Sequence, residues 1–300
     1  MAHSKLGFNE KRQTFWGWIL ISPLCLGLTL WVAFPMGLSF FTSLAKWDML
    51  SKAQFVGFKN YISIFTEDEL FLKSIRNTLY FTFLSVPLQM ITALAGALLL
   101  NSQVKGKRVF RTIFYLPSLI PLVVSSVMWL WLFNNQYGLI NYFLHSFGIN
   151  RIQWIDSKEM VIPSLTIMNV WNIGNVIIIF LAGLQGIPND LMEAVDIDGG
   201  TYWHKFRYVM LPLLSPIILY NMIVNMIKCL QLFVEPYIMT NGGPVNSSLS
   251  FVLHIYNNAF KYGKMGTANA MAWVLFILTM GISLLIFKTS TLWTYYEGDK

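Results

Sequence analysis

Pro188-Asn-Asp-Leu-Met-Glu-Ala-Val-Asp-Ile-Asp-Gly-Gly-Thr-Tyr-Trp-His-Lys-Phe-Arg-Tyr-Val-Met-Leu-Pro-Leu-Leu-Ser-Pro216 is amphipathic, polar and free of long apolar runs, yet strongly apolar segments flank it on both sides. Asp190 suits an N-cap, and Glu193 follows three residues later, the reciprocal capping-box spacing. Leu191, Ala194 and Val195 supply one short apolar face, and Gly199-Gly200 ends the helix. A second helix is expected through Trp203, Phe206, Val209 and Met210, until Pro212 and Pro216 mark entry into the next apolar run. A helix, a glycine turn and a second helix therefore sit at a membrane surface, open to a partner.

Working outward, the rest of the chain supplies the membrane. Of 300 residues, 55% are hydrophobic and only 12% charged, with a mean hydropathy of +0.55, too few charges for a soluble domain of this size. The fold class is an all-α, polytopic membrane protein. Six spans are expected at about 15–41, 78–100, 110–133, 161–184, 213–237 and 268–287, each long enough for an apolar layer of roughly 30 Å at about 1.5 Å per residue. They leave a polar tail at 1–14, a surface loop at 188–211 and a tail at 291–300, with 15–290 as the membrane domain. The first run is too long for a signal-peptide core and is read as a retained span. Its Pro23 and Pro35 are tolerable where neighbouring helices satisfy freed carbonyls. Cys25 and Cys229 both lie in apolar runs, as packing residues rather than a disulfide or metal site.

A net charge of +7 raises nucleic acid as a partner, but the basic residues flank apolar runs as topology requires, and no nucleic-acid role is expected. One set of flanks holds Lys5, Lys11, Arg12, Lys105, Lys107, Arg108, Arg111, Lys205, Arg207, Lys288 and Lys300. The other holds Lys46, Lys52, Lys59, Lys73, Arg76, Arg151, Lys158, Lys261 and Lys264. Eleven against nine decides little, but density does: 105–111 packs four charges into seven residues, while the opposite loops are long and dilute. Both termini and the loop at 188–211 are thereby placed in the cytoplasm.

Catalytic signatures are missing. Gly106-Lys107 and Gly263-Lys264 lack the preceding glycine and following hydroxyl of a phosphate loop. No zinc pattern, nucleophile elbow or nucleotide fingerprint occurs. No catalytic or metal residue is assigned, and the chain itself is expected to carry no cofactor.

Polar residues inside apolar helices mark the candidate path, with Lys228 the most exceptional. Asn221, Asn225, Lys228, Gln231 and Glu235 recur at helical steps along the fifth span. Lys228 is either a cavity-lining cation for an acidic or hydroxylated solute, or a lysine paired with a carboxylate or snorkelling to the surface. The fourth span adds Asn169, Asn172 and Asn175 near Trp171. The second adds Thr82, Ser85, Gln89 and Thr92, which suit helix–helix gluing better than a solute path. Amides beside indoles suit carbohydrate, whose hydroxyls need hydrogen bonds while its C–H faces stack on rings. Trp129 joins them as a path candidate, with an aromatic belt as its alternative.

Glu193-Ala194-Val195, Gly199, Val209, Leu211 and Pro212 resemble the EAA loop of binding-protein-dependent ABC importer permeases: Glu-Ala-Ala, three residues, Gly, nine residues, an Ile-like residue, one residue, Leu-Pro. Val195 stands for the second Ala. Further likeness to maltose- and glycerol-phosphate-type sugar permeases lies in Gly57…Asn60-Tyr61, Phe114 through Phe133, Gly138–Asn141, Asn241-Gly242-Gly243-Pro244, Ile255–Phe260 and Gly266–Ala270. The resemblance runs from residue 15 onward and extends to the alginate and oligosaccharide branch.

This resemblance implies a type I ABC importer transmembrane domain in the bacterial inner membrane, importing carbohydrate. Glu193, Ala194, Val195, Asp198, Gly199, Leu211 and Pro212 become the coupling element toward an ATPase. The implied assembly holds a second homologous permease chain, two ATP-binding subunits carrying ATP and Mg, an extracytoplasmic solute-binding protein and surrounding membrane lipid. The competing reading is a secondary, ion-gradient-driven transporter, which wants intramembrane acids and finds only Glu235. An ABC permease for a non-sugar solute shares the coupling loop and stays open.

Overall fold

The computed structural model describes residues 3–102 and 105–295; the side chains of Lys5 and Lys11, and all of Lys300, lie outside what it describes. Apart from one two-residue antiparallel pair, β1 (Ala45–Lys46) with β2 (Gln54–Phe55), the regular structure is helical. Among the described residues, four helices are each long and apolar enough to cross a membrane: α1 (Arg12–Ser43), α2 (Glu69–Asn101), α8 (Tyr202–Met239) and α9 (Met265–Ser290). Two bent pairs bring the candidate spans to six if each is one span: α3 (Lys107–Leu119) with α4 (Leu122–Leu132), and α5 (Val161–Trp171) with α6 (Gly174–Gln185). Between them lies the short surface helix α7 (Asn189–Ile197).

The third and fourth spans, expected as single runs at about 110–133 and 161–184, are each bent. α3 and α4 meet at 103°, where Ile120 is extended at φ −80°, ψ 127°. It precedes Pro121, whose ring disfavours the helical conformation in the residue before it. α5 and α6 meet at 49° through Asn172 and Ile173. At Gly174 an added Cβ would stand 2.8 Å from the Phe114 carbonyl and 3.0 Å from Tyr115 Cα, so the fourth crossing breaks where it passes tightly over α3.

Other prolines are absorbed without a break. A π turn at Thr29–Ala33 precedes Pro35, and another at Lys205–Met210 precedes Pro212. Each contains the carbonyl four residues before the proline, where the ring needs room. The second surface helix and the fifth span are consequently one run from Tyr202, rather than two elements parted by Pro212.

The chain divides into two compact units, 1–64 with 258–273, and 65–257 with 274–300. In the first, Asn269 Nδ2 donates to Thr42 Oγ1 at 2.7 Å, and the Phe40 and Trp273 rings meet edge-on at 5.1 Å. The second has two apolar clusters. One gathers Trp129, Phe133, Trp154, Leu165, Met226 and Leu230; the other gathers Ala93, Ala97, Ile177, Phe180 and Leu214. Lipid is as apolar as leucine, so contact between membrane helices depends on close packing. Ala93 and Ala97 are fully buried, and Gly96 admits Ile177 so closely that a Cβ there would lie 3.1 Å from its Cδ1.

Candidate functional site

The surface element begins with a correction. α7 starts at Asn189 with Pro188 at its N-cap, so Asp190 lies in the first turn and makes no cap hydrogen bond. A proline just before a helix supplies the entry geometry, and Asp190 still favours that end through its charge near unpaired N–H groups. The capping box lies one helix later: Thr201 and His204 satisfy each other's backbone and side-chain groups at the start of α8.

The turn between the two helices is specified residue by residue. Asp198 and Gly200 N–H groups donate to the Ala194 and Val195 carbonyls at 3.0 and 2.8 Å. Gly199 is left-handed at φ +73° with open space around it. Gly200 packs against Val195, whose Cγ1 would lie 2.4 Å from any added Cβ. The departure at Val195 thus sits inside the turn, folded over Gly200. Lys205 then pairs with Asp196 at 2.6 Å, tying the two helices across the turn.

The predicted coupling residues separate by exposure. Glu193, Ala194, Asp198 and Gly199 are exposed, Val195 is half-buried, and Leu211 and Pro212 are half-buried on the long helix beyond. Met192 and Phe206 pack against the second apolar cluster and anchor the element. Ile197, 86% exposed, and Trp203, 62% exposed, turn outward. Exposed apolar side chains rimmed by charges are the kind of surface on which a partner docks.

A cavity of about 370 Å³ opens in the second unit, lined by Gln89, Ser118, Asn169, Asn172, Asn175, Asn225, Lys228, Gln231 and Glu235, with Phe81, Leu122 and Phe233 among the apolar walls. It brings together six of the eight predicted path residues: Asn172, Asn175, Asn225, Lys228, Gln231 and Glu235. Asn221 is not among them; its side chain donates to the Ile217 carbonyl of its own helix at 3.1 Å. Trp129 is buried instead in the aromatic cluster, edge-on to Trp171 at 5.8 Å. The even helical stripe is also interrupted, because α8 breaks at Gln231 and resumes at Val234. That break turns Gln231, Phe233 and Glu235 into the same cavity.

Glu235 is buried and accepts a hydrogen bond from the Asn169 side chain. Lys228 is exposed within the chain, and no described carboxylate lies within ion-pair distance of it. The Gln89 and Asn169 carboxamide oxygens are buried without a hydrogen-bond partner among the described residues. Buried unpaired acceptors cost about 1–3 kcal/mol each, a cost that a hydroxyl-bearing ligand or water relieves. Sequence reading placed Gln89 in a polar row that glues helices. Ser85 does so, with Thr166 at 3.1 Å; Gln89 does so too, its Nε2 donating to the Asn169 carbonyl at 3.4 Å, and it also lines the cavity. Ser118 was missed because a proline such as Pro121 can pass through an apolar run with or without the bend that gathers Ser118 into the cavity.

Away from the cavity, the loop after α8 is fastened to the start of α2. Lys73 Nζ donates to the Val245 carbonyl at 2.6 Å, and Asn77 Nδ2 donates to Asn246 and Leu249 carbonyls at 2.9 and 3.1 Å. Asp68 caps α2 through the Leu70 N–H and holds His254 Nε2 at 2.7 Å.

Comparison with known proteins gives the following. Residues 85–292 match the family described as "Binding-protein-dependent transport system inner membrane component". The probable ABC transporter permease protein YesP of Bacillus subtilis is 36% identical over 97% of this chain and 95% of its own. The trehalose/maltose transport system permease protein MalF of Thermococcus litoralis is 31% identical over 95% and 96%. The sulfoquinovosyl glycerol transport system permease protein SmoG of Agrobacterium fabrum is 31% identical over 88% and 87%. In fold, the chain superposes on a bacterial alginate ABC transporter solved with an alginate pentasaccharide-bound periplasmic protein, at TM-score 0.83 and 21% identity over 94% of this chain and 96% of that one.

Proposed function

Because this chain belongs to the family of binding-protein-dependent transport system inner membrane components, we propose that it is the carbohydrate-conducting permease of an ATP-driven importer, with the cavity around Lys228 as its solute station. The cavity carries the reading: amide donors and acceptors converge with one cation on a space of about 370 Å³. Such a lining bonds sugar hydroxyls, while Phe81 and Phe233 offer apolar faces. Relatives named for trehalose and maltose and for sulfoquinovosyl glycerol support a carbohydrate. Lys228 favours a saccharide bearing an acid group, as uronate oligosaccharides such as alginate do, and a transporter of this fold is described as involved in the import of the acidic polysaccharide alginate.

In this reading the termini and α7 face the cytoplasm, and a solute-binding protein delivers sugar from the opposite side. A second permease chain completes the path, and two ATP-binding subunits carry ATP and Mg. α7 seats in a cleft of one ATPase, with Ile197 and Trp203 as apolar contacts and Glu193 and Asp198 at the rim. Closure of the ATPase dimer carries α7 with it, and the continuous helix from Tyr202 passes the motion toward the cavity. ATP acts through its different affinity for the closed and open states, since a ligand shifts an equilibrium only by that difference.

The test is uptake and ATPase activity of the reconstituted assembly with its binding protein. A uronate oligosaccharide should stimulate hydrolysis and accumulate in the vesicle. Stimulation by amino acids or phosphate instead, with none by any saccharide, would overturn the proposed substrate class.

A further inference from the structure

A second recess, of about 530 Å³, lies in the first unit, with Lys46, Lys52, Lys59, Lys264, Trp47 and Asn60 in its walls. It is held in shape. Asn60 Nδ2 donates to the Ser43 and Ala45 carbonyls at 2.7 and 2.9 Å, and the Gly266 N–H donates to the Trp47 carbonyl at 3.1 Å. The β1–β2 pair closes one side. Four lysines line it against one acid, Asp48. That carboxylate is turned onto its own loop, accepting from the Leu50 N–H and from Ser51 N–H and Oγ–H at 3.1, 2.7 and 2.7 Å. No ion pair joins any of the four lysines to a carboxylate among the described residues. Like charges gathered around one hollow repel unless an anion enters it.

Depth identifies the anion. Lys46 follows the last residue of α1, Ser43, by three positions, at most about 10 Å of chain. Lys264 directly precedes Met265, the first residue of α9. The recess therefore opens just beyond the ends of two membrane helices, within reach of a headgroup layer about 5–8 Å thick on each side. Exposed apolar side chains stand in the same segment of chain: Leu50, Phe55 and Phe58 are 96%, 69% and 69% exposed. The α1 window itself has no residue buried within the chain. A cationic hollow with apolar side chains beside it matches a charged headgroup with acyl chains below.

We propose that this recess binds the phosphate of an anionic phospholipid, anchoring the first unit in the leaflet at that end of α1. The test uses the whole assembly purified from its native membrane, with lipids counted by native mass spectrometry. Phosphatidylglycerol, phosphatidylcholine and inorganic phosphate serve as separate probes. Phosphatidylglycerol should be retained in preference to phosphatidylcholine and should survive excess inorganic phosphate. The triple variant K46Q/K59Q/K264Q should weaken that retention on the order of a hundredfold, three lysines at about fivefold each. K46R/K59R/K264R should keep it, which separates lost charge from lost folding. Equal retention in the glutamine variant, displacement by inorganic phosphate, or a loss confined to solute-binding-protein affinity with lipid unchanged would each overturn the proposal.

Discussion

At the scale of single residues, Asn141 and Lys228 show two uses of a polar side chain in an apolar chain. Asn141 is buried and bonds four groups: it donates to the Asn135 and Ile152 carbonyls and accepts from the Ile152 N–H and Trp154 Nε1. Asn141→Ala leaves those groups unpaired and should cost about 3 kcal/mol, read as a lowered unfolding midpoint in detergent with residual transport unchanged in substrate preference. Lys228 stabilises nothing comparable within the chain. Lys228→Gln should weaken uptake of an acidic saccharide about thirtyfold, a charged hydrogen bond being worth about 2 kcal/mol, and leave a neutral analogue within about twofold. Equal losses for both sugars would remove Lys228 from the substrate path. The exceptional character of Lys228 was legible in the sequence, because an ammonium group inside an apolar run needs a reason. The burial of Trp129 was not: a tryptophan near a span's end reads the same at a membrane interface and in an aromatic cluster.

Among elements, the glycine turn was legible and the bends were not. Gly199-Gly200 announces a helix stop through chemistry that belongs to those residues, and the left-handed Gly199 follows. The 103° break before Pro121 and the 49° break at Gly174 arise where a proline or a close neighbour meets an apolar run, and other prolines in this chain pass without a break. Gly199→Asp puts a side chain into open space but at a left-handed φ, costing about 1 kcal/mol. Its larger expected effect is on coupling: hydrolysis by the assembly should persist while uptake falls at least tenfold, measured in the same vesicles. Normal uptake by that variant would remove the turn from coupling. Lys205→Ala, by contrast, removes a surface ion pair and should change stability by no more than about 0.5 kcal/mol.

For the whole molecule, composition dictated a multi-span helical fold, since a chain with so few charges has nowhere to put its apolar surface but lipid. The cavity needed the structure, because it depends on the interruption of α8 at Gln231 that gathers amides from separate helices. The central claim is that α7 transmits ATP-driven motion from another subunit, and its most direct test is a cross-link. With Ile197→Cys as a reporter in native membranes, cross-linking should join this chain to a P-loop ATPase, with a second multi-span permease recovered in the same complex and the yield changing when ATP is added. A chain that comes out alone, with the cysteine labelled freely by a water-soluble thiol reagent at the same rate with and without ATP, would contradict the account.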